Sequence, residues 1–541
     1  MAVRDKALIE AALASQLITP EQVSLARTQA QRLQLDELSM LCFQQRLPRS
    51  SFYYALARQQ GFGFFSPSQV ELNHQALLKM PVNLLKQLRV MPVLDSNDGT
   101  HLVTDSPPNP ALQRQLHRLF GDQVKLSLVE PACFDAYLHT ELETQVHDVA
   151  FNAVTAFQQL LDQAYIQRAS DIHIEPQARH YIVRFRVDGQ LQQQCQRWSV
   201  ADGASLVSRI KVVAHLDIAE TRMPQDGGAS YTTPTGAEFD LRIATAPTKL
   251  GERVTIRLLG GETEFLTLKQ LGMSEATLAQ FRQVIAKPHG IILITGPTGS
   301  GKSTTLYAAL SELRQETSNI LTAEDPVEML MPGISQVQMN AKVNFASALR
   351  SFLRHDPDVI MVGEIRDGET AEVALKAATT GHLVLSTLHT NSALASVTRL
   401  KNIGLEPFMI AASLQGVIAQ RLARRLCSAC TQSQPATAQQ KQQLGIPVET
   451  ELMLSAPTGC PLCDGRGYKG RIAIFETLWL DQRLRDLIAA NADEQVLREQ
   501  AAQLRDLQQD ALEKLHAGLT SFAEVQRLGL LHVTPEDEVV A

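Results

Sequence analysis

Apolar residues recur at near-helical spacing through the first 60 residues, beginning with Leu8, Ala12 and Leu13. Thr19-Pro20-Glu21-Gln22 supplies a cap residue, a proline at the first helical position and an acid in the first turn, which together predict a helix start. Short apolar runs near residues 90 and 101 are typical of strands. We therefore predict an N-terminal region over 1–140 that is helical first and then a small α/β unit.

Two further patterns divide the rest of the chain. From Asp171 to Leu259 apolar side chains largely alternate with polar ones, as at Tyr181, Val183 and Phe185, which predicts half-buried strands of an α+β domain over 145–262. From about residue 280 the order becomes strand, Gly-rich loop, helix, strand, helix, strand. That order is typical of a doubly wound parallel sheet, so 263–541 is predicted to be an α/β domain.

A phosphate-binding loop is predicted at the start of this α/β domain. The apolar run Ile291–Ile294 precedes it and the helical run Thr305–Leu310 follows it, whereas a chance Gly-rich turn needs neither. Backbone N–H groups and the helix dipole bind phosphate there, while the lysine and hydroxyl serve the β/γ-phosphates and Mg²⁺. The residues that fit the G-x-x-x-x-G-K-[ST] pattern, with the next threonine, are Gly296, Pro297, Thr298, Gly299, Ser300, Gly301, Lys302, Ser303 and Thr304. ATP and Mg²⁺ are the predicted ligands.

Acidic residues follow two apolar runs of the same domain. Glu364 follows Asp358–Gly363 and is our candidate for polarising the attacking water; Glu324 follows Leu321–Ala323 and is a second catalytic candidate, beside Lys302. Helix capping is the alternative for each carboxylate. His389 follows a further strand and is either a γ-phosphate sensor or an ordinary hydrogen-bonding residue.

Composition and charge limit the possible functions. The chain has 541 residues, a net charge of −7 and a pI of about 6.1. This balance argues against a nucleic-acid motor, because phosphate binding favours a basic surface. We find no apolar run long enough to span a bilayer, and charged residues interrupt the first ten positions, which argues against a signal peptide. A cytoplasmic location, peripheral to the inner membrane through partners, is expected.

Four of the seven cysteines form two Cys-x-x-Cys pairs, Cys427/Cys430 and Cys460/Cys463. Tetrahedral Zn²⁺ is bound by four thiolates in this way, so we predict a zinc subdomain at 427–463, with a redox-active pair as the alternative. Cys42, Cys133 and Cys195 are expected to be lone core or surface thiols. Basic residues flank both pairs and form either a docking face for an acidic segment of a membrane protein or a solvated surface.

Several motifs resemble those of the secretion ATPase superfamily, which includes type IV pilus assembly and type II secretion ATPases. Besides the phosphate loop, they are Ala169–Pro176, Arg184–Gly189, Pro224–Gly227, Asp240–Arg242, Gly251–Leu259, Ala323–Glu328, Gly363–Asp367, Gly381-His382 and Ser386–Asn391. The resemblance covers about residue 150 to the C-terminus. It implies a RecA-like P-loop motor domain, a PAS-like domain before it and a homohexameric ring. It also implies that Arg242 and Arg257 approach the nucleotide; an ordinary salt bridge is the alternative for each.

The resemblance favours a motor that powers type IV pilus assembly, with type II secretion as the alternative and DNA uptake as a weaker one. The implied partners are a polytopic inner-membrane platform protein and the cytoplasmic domain of a second inner-membrane protein. Related ATPases sometimes bind cyclic di-GMP through an N-terminal motif. Here Gln16, Ala7 and Ile9 replace its glycine, arginine and second glycine, which argues against that ligand. A nucleotide-dependent scaffold without turnover is the remaining reading.

Overall fold

The computed structural model describes residues 5–66, 72–79, 82–94, 101–107, 110–120, 125–138, 151–260, 265–501 and 504–531. The chain divides into two compact units. The first comprises Met1–Gly261, Cys427–Thr431 and Pro457–Lys469, and the second comprises Glu262–Leu426, Gln432–Ala456 and Gly470–Ala541. The predicted domain boundaries, near 140–145 and 262–263, lie largely outside the described residues and stay predictions.

A helical bundle opens the first unit, as predicted. Its helices are α1 (Asp5–Ala14), α2 (Pro20–Leu33), α3 (Glu37–Gln45) and α4 (Arg49–Gln59). The helix start at Pro20 is confirmed: the Thr19 hydroxyl accepts the Gln22 N–H, and the Gln22 side chain accepts the Thr19 N–H. This reciprocal cap satisfies two N–H groups that the first turn leaves without helical partners.

A small α/β unit follows the bundle. Its elements are β1 (Gly63–Phe64), α5 (His74–Lys79), α6 (Val82–Leu88), β2 (Val90–Val93), β3 (His101–Thr104), α7 (Pro110–Phe120), β4 (Lys125–Leu128) and α8 (Pro131–Tyr137). The strands form a sheet in the order β1-β4-β3-β2. Both strands predicted near residues 90 and 101 are present.

An antiparallel sheet with two helices completes the first unit. Its elements are α9 (Ala153–Ile166), β5 (Ala169–Pro176), β6 (His180–Val187), β7 (Gln190–Ser199), α10 (Val200–Val213), β8 (Gln225–Thr232), β9 (Glu238–Thr248) and β10 (Gly251–Gly260). In the described residues the strand order is β7-β6-β5-β10-β9-β8. Alternate residues of β6 and β9 are buried, so one face of the sheet carries the apolar core.

Helix α10 departs from the largely strand-like pattern expected there. Gly203 lies inside it, and glycine weakens a helix by about 1 kcal/mol relative to alanine. A Cβ atom at Gly203 would lie 2.1 Å from the Tyr181 ring, so the helix can pack on β6 only because that position has no side chain.

The second unit is built on a mostly parallel sheet. Its first elements are a 3₁₀ turn (Leu268–Leu271), α11 (Glu275–Ile285), β11 (Gly290–Thr295), α12 (Lys302–Leu313), β12 (Ile320–Glu324), β13 (Ser335–Gln338), α13 (Phe345–Phe352), β14 (Val359–Val362), α14 (Gly368–Thr379), β15 (Leu383–Leu388), α15 (Ala393–Asn402) and α16 (Pro407–Ser413). The remaining elements of this unit are β16 (Leu414–Leu426), β17 (Gln432–Pro435), α17 (Ala438–Gln443), β18 (Met453–Ala456), β19 (Tyr468–Trp479), α18 (Gln482–Ala489), α19 (Glu494–Gln500), α20 (Leu507–His516) and α21 (Phe522–Arg527). A 3₁₀ turn (Pro461–Cys463) lies between β18 and β19 in sequence and belongs to the first unit.

Strand β11 lies inside this sheet, whose described order is β13-β12-β14-β15-β11-β16-β19. Ile291 and Leu293 belong to one apolar core, and Ile292 and Ile294 to another. Because successive side chains of a strand point to opposite faces, both faces of the sheet are covered, as the near-continuous apolar run predicts. Ligands of such sheets bind beyond the carboxyl ends of the strands.

The described helices include none long and apolar enough to cross a bilayer.

Candidate functional site

The predicted phosphate-binding loop connects β11 to α12 at the carboxyl edge of the parallel sheet. Gly296 and Gly301 have φ angles of 143° and 86°, in the region that favours glycine. A Cβ atom at Gly296 would also lie 2.4 Å from the Gln420 carbonyl oxygen. The loop therefore depends on glycine both for its backbone conformation and for its close approach to β16.

Lys302 is the first residue of α12 and folds back over the loop. Its ammonium group donates to the carbonyl oxygens of Gly296 (2.9 Å) and Pro297 (3.1 Å). Burial lowers the pKa of Lys302; the Glu364 carboxylate opposes this shift, and Arg421 adds to it. The cation thus lies among the backbone groups that form the phosphate cradle.

A cavity of about 320 Å³ opens at this loop. It brings together Thr298–Thr304 of the loop, including Lys302, with the three predicted residues that lie far away in sequence: Glu324, Glu364 and His389. Ser300 places a buried hydroxyl oxygen there that has no hydrogen-bond partner among the described residues. A phosphate oxygen or a water would satisfy that hydroxyl, so the cavity fits the predicted nucleotide.

Three side chains hold the Glu324 carboxylate at the end of β12. The Tyr307 hydroxyl donates to Oε2 at 2.5 Å, while the Thr322 hydroxyl and the Gln336 amide donate to Oε1 at 2.5 and 3.0 Å. Burial and the Glu324 carboxylate raise the pKa of Tyr307 well above its usual value, so the phenol keeps its proton and remains a donor. Glu324 is almost fully buried, and its orientation is fixed.

Glu364 follows β14 and meets two cationic or polar groups. Its carboxylate forms an ion pair with Arg366, and its Oε2 lies 3.4 Å from His389 Nε2. The Glu364 pairing raises the pKa of Arg366. The Glu364 carboxylate therefore interacts with Arg366 and His389, two groups that the phosphates of a bound nucleotide would also attract.

Backbone and hydroxyl contacts fix the loops that carry Glu364 and His389. The Thr387 hydroxyl donates to the Gly363 carbonyl oxygen at 2.7 Å. Thr295, the last residue of β11, accepts the Thr390 N–H at 2.8 Å, and the two hydroxyls are 2.7 Å apart. The phosphate loop and the histidine loop are thus linked at their bases.

Oxygen ligands suited to Mg²⁺ also meet here. The Ser303 hydroxyl donates to Glu328 Oε1 at 3.3 Å, and Asp325 lines the same cavity. Hydroxyl and carboxylate oxygens are the hard ligands that Mg²⁺ takes in nucleotide sites. Bound there together with ATP, such an ion would neutralise phosphate charge.

Sequence reasoning missed several residues of the cavity. Tyr307 and Glu328 line it, and Gln336 acts behind it by holding the Glu324 carboxylate. All three are placed by packing between elements, and no role was predicted for Glu328 although it lies in one of the family motifs. Arg471, one of the basic residues that follow the second cysteine pair, lines the cavity as well.

The two arginines predicted to approach the nucleotide belong to the first unit. Arg242 and Arg257 are directly opposite each other on β9 and β10, and Arg242 is exposed. Arg257 Nε donates to Asp171 Oδ1 at 3.0 Å, the salt bridge that was the alternative. Their role towards ATP stays a prediction.

The four paired cysteines form one cluster. Their sulfur atoms all lie within 4.8 Å of one another, and Cys427–Cys460, Cys430–Cys463 and Cys460–Cys463 are each 3.8 Å apart. Zn–S bonds of about 2.3 Å in a tetrahedron place sulfur atoms about 3.8 Å apart. The donor set and its spacing therefore fit Zn²⁺, which when bound would cross-link the two Cys-x-x-Cys turns.

The expectation of three lone thiols is wrong for two of them. Cys133 on α8 and Cys195 on β7 form a disulfide, and they are 62 positions apart in the sequence. Packing of α8 against β7 brings them together, which spacing along the chain does not reveal. Cys42 is a free, buried thiol, and its pKa is raised by burial.

Comparison with known proteins identifies the family. Residues 148–527 match the family described as "Type II/IV secretion system protein", and residues 60–140 match the MshEN domain. The chain belongs to the type II/IV secretion system protein family. It is therefore an ATP-hydrolysing enzyme of the secretion ATPases, as the motifs predicted, and ATP is its substrate.

Named relatives of this secretion ATPase are about half identical to it. Type II secretion system protein E of Pectobacterium carotovorum subsp. carotovorum is 50% identical over 372 residues, covering 68% of this chain and 74% of that protein. Type II secretion system ATPase E of Vibrio cholerae serotype O1 is 48% identical over 372 residues, with the same coverage. Type II secretion system protein HxcR of Pseudomonas aeruginosa is 49% identical over 373 residues, covering 68% and 76%.

The Legionella pneumophila ATPase DotB has a similar fold. Its structure superposes with a TM-score of 0.53 at 24% identity, covering 71% of this chain and 97% of DotB. The predicted RecA-like motor fold is thereby confirmed.

Proposed function

We propose that this secretion ATPase powers a type II secretion system. The observation that supports this most strongly is its identity of about 50% to proteins named type II secretion system protein E, over more than two thirds of the chain. Type IV pilus assembly, our first expectation from sequence, is supported only at the level of the family. The secretion alternative therefore becomes the leading proposal.

The residues of the cavity divide the chemistry among them. The loop N–H groups and Lys302 bind the triphosphate and balance its charge. Glu364 orients and polarises the attacking water. Glu324, whose carboxylate is held by three hydrogen-bond donors, supplies a fixed negative charge in the cavity. His389, whose Nε2 lies 3.4 Å from Glu364 Oε2, is the proposed sensor of the γ-phosphate.

The proposed assembly is a homohexamer on the cytoplasmic side of the inner membrane. Phosphoryl transfer needs a cation at the γ-phosphate, which can change the rate by about 10³–10⁵. Exposed Arg242 and Arg257 are the proposed cations, and Arg257 would exchange its Asp171 pair for phosphate. A polytopic inner-membrane platform protein and the cytoplasmic domain of a second inner-membrane protein are the proposed partners.

Zn²⁺ is the proposed ligand of the cysteine cluster. Its support is the set of four sulfur atoms at tetrahedral spacing. The metal would act structurally, because the cluster lies outside the residues that line the nucleotide cavity.

Complementation tests the pathway. In a strain of the source organism that lacks this gene, the wild-type chain should restore secreted enzymes to the culture medium. Lys302→Ala should restore none and should neither bind nor hydrolyse ATP, because the triphosphate loses its principal cation. Lys376→Ala, which removes an exposed lysine paired with Glu372 on α14, is the matched control and should behave as wild type.

Surface pili are counted in the same strains. Restored pili without restored secretion would replace the proposal with pilus assembly. Wild-type ATP turnover by Lys302→Ala would overturn the assignment of the phosphate site itself.

A further inference from the structure

The second Cys-x-x-Cys turn packs against helix α4 of the N-terminal bundle. Leu462, between the cysteines of that turn, packs on the apolar core formed by α1–α4. The next residue after the pair, Asp464, is buried, and its Oδ1 accepts a 2.7 Å hydrogen bond from the buried Ser50 hydroxyl. Residues more than 400 positions apart thus form one packed, hydrogen-bonded interface within the first unit.

The buried residues of α4 show that neighbouring elements cover most of the helix surface. Ser50, Ser51, Phe52 and Tyr53 are all buried, although successive residues of a helix point about 100° apart. A helix that is buried nearly all round needs neighbours on more than one side. Helices α1 and α3, strands β1 and β4 and the 3₁₀ turn Pro461–Cys463 all contact α4, so the turn is one of the neighbours that bury it.

The shape of this turn depends on the cysteine cluster. Cys463 Sγ accepts N–H hydrogen bonds from Cys460 (3.3 Å) and Gly467 (3.1 Å), which wrap the backbone around the sulfur. Asp464 has a φ of 52°, a left-handed conformation at the end of the turn that directs its carboxylate to Ser50. A metal that fixes the sulfur atoms therefore also fixes the two side chains that contact α4.

We propose that the Leu462–Asp464 turn, organised by the metal, is the docking site of the N-terminal helical bundle, so that zinc binding controls whether the bundle is held. The proposal rests on the zinc site of the proposed function. The cysteine segment continues directly from β16 and into β19, strands of the motor sheet. Docking thus gives the N-terminal bundle an attachment to the motor polypeptide in addition to its own peptide linkage.

Hydrogen exchange of the full-length chain, combined with measurement of its zinc content, tests the proposal. The double variant Cys460→Ser/Cys463→Ser should lose its zinc, and the α4 amides should exchange at least about tenfold faster. Leu462→Glu should keep the zinc and accelerate the same amides, because a charge replaces an apolar contact. Val448→Glu, an exposed position between the cysteine pairs, is the matched control and should change neither.

If Leu462→Glu loses its metal, a substitution on the α4 side tests the same interface. Ser50→Asp sets a second carboxylate against Asp464 and leaves every cysteine in place, so the amides of Cys460–Gly467 should exchange faster while zinc stays bound.

These measurements distinguish the zinc-site proposal from the docking proposal. A wild-type chain without zinc overturns both the zinc site and this proposal. Zinc-loaded Leu462→Glu and Ser50→Asp chains with unchanged exchange overturn the docking proposal alone and leave the zinc site standing.

Discussion

The Tyr307 hydroxyl donates a hydrogen bond to the Glu324 carboxylate, joining the helix after the phosphate loop to the strand that carries the acid. The same hydroxyl accepts the N–H of Glu328 at 3.2 Å, so one phenol orders two acidic residues of the cavity. Tyr307 does not need to touch ATP to affect activity, because it positions groups that line the proposed nucleotide site.

Tyr307→Phe should therefore lower kcat by roughly tenfold to a hundredfold, since a hydrogen bond to a charged group contributes about 1.5–3 kcal/mol. The KM for ATP should change little, because the phosphate loop is untouched. Steady-state ATPase assays of the assembled protein measure both constants.

Tyr231→Phe is the control for that variant. Tyr231 also donates to a carboxylate, Asp162, at 2.8 Å, but it lies in the first unit. Its removal should lower thermal stability and leave kcat intact; an equal loss of kcat in both variants would deny Tyr307 a positioning role.

Glu364→Gln should bind ATP with near-wild-type affinity and hydrolyse it at least about a hundredfold more slowly, because the amide cannot polarise water as a carboxylate does. Equilibrium binding of a fluorescent ATP analogue and single-turnover hydrolysis separate the two steps. Glu372→Gln, on the exposed surface of α14, should match wild type in both assays. Normal turnover by Glu364→Gln would support the capping alternative or a scaffold without catalysis.

A buried carboxylate near the C-terminus gives a pH-dependent prediction. Burial alone would raise the pKa of Glu524, but hydrogen bonds from Arg527 and Arg424 outweigh it and hold the pKa at about 2. Because the folded-state pKa lies below the ordinary 4.5, the stabilisation is complete above that pH and is lost as the pH falls towards 2.

Glu524→Gln should therefore destabilise the chain at pH 7 by about 2–3 kcal/mol, less than a fully buried pair because both arginines are partly exposed. The difference from wild type should shrink at pH 3.5. Urea unfolding at the two pH values measures it, and a difference that grew on acidification would contradict the assignment.

The disulfide predicts a specific chemical result. Peptide mapping without reductant should recover Cys133 linked to Cys195, with Cys42 unpaired. Reduction should destabilise the first unit by about 2–4 kcal/mol, because the cross-link restricts the unfolded chain. Cys133→Ser should show the same loss with or without reductant. Alkylation of both Cys133 and Cys195 in the unreduced wild-type chain would exclude the bond.

The features that could be predicted from sequence are those encoded locally. The phosphate loop needs glycine at fixed offsets between a strand and a helix, and Thr19 caps α2 through residues three positions away. Glu364 and Glu324 could be named because carboxyl ends of parallel strands meet at one edge of a sheet.

The rest depends on contacts between distant segments. Helix α10 was missed because its glycine lowers helix propensity and is explained only by the Tyr181 ring beside it. Cys133 and Cys195 pair through the packing of α8 on β7, and Ser50 meets Asp464 across most of the chain. The spacing of these residues along the sequence does not predict their contacts.

The position of the cysteine segment has an evolutionary consequence. β16 and β19 are neighbours at one end of the described sheet order, with Cys427 N–H bonded to the Gly467 carbonyl at one end of the pair and Leu480 N–H to the Gln415 carbonyl at the other. They form an antiparallel hairpin whose connection holds the cysteines, β17, α17 and β18. A change in the length of that connection leaves the register of every strand in the parallel sheet unchanged, so the cysteine segment can tolerate insertions and deletions that the strands around the phosphate loop cannot.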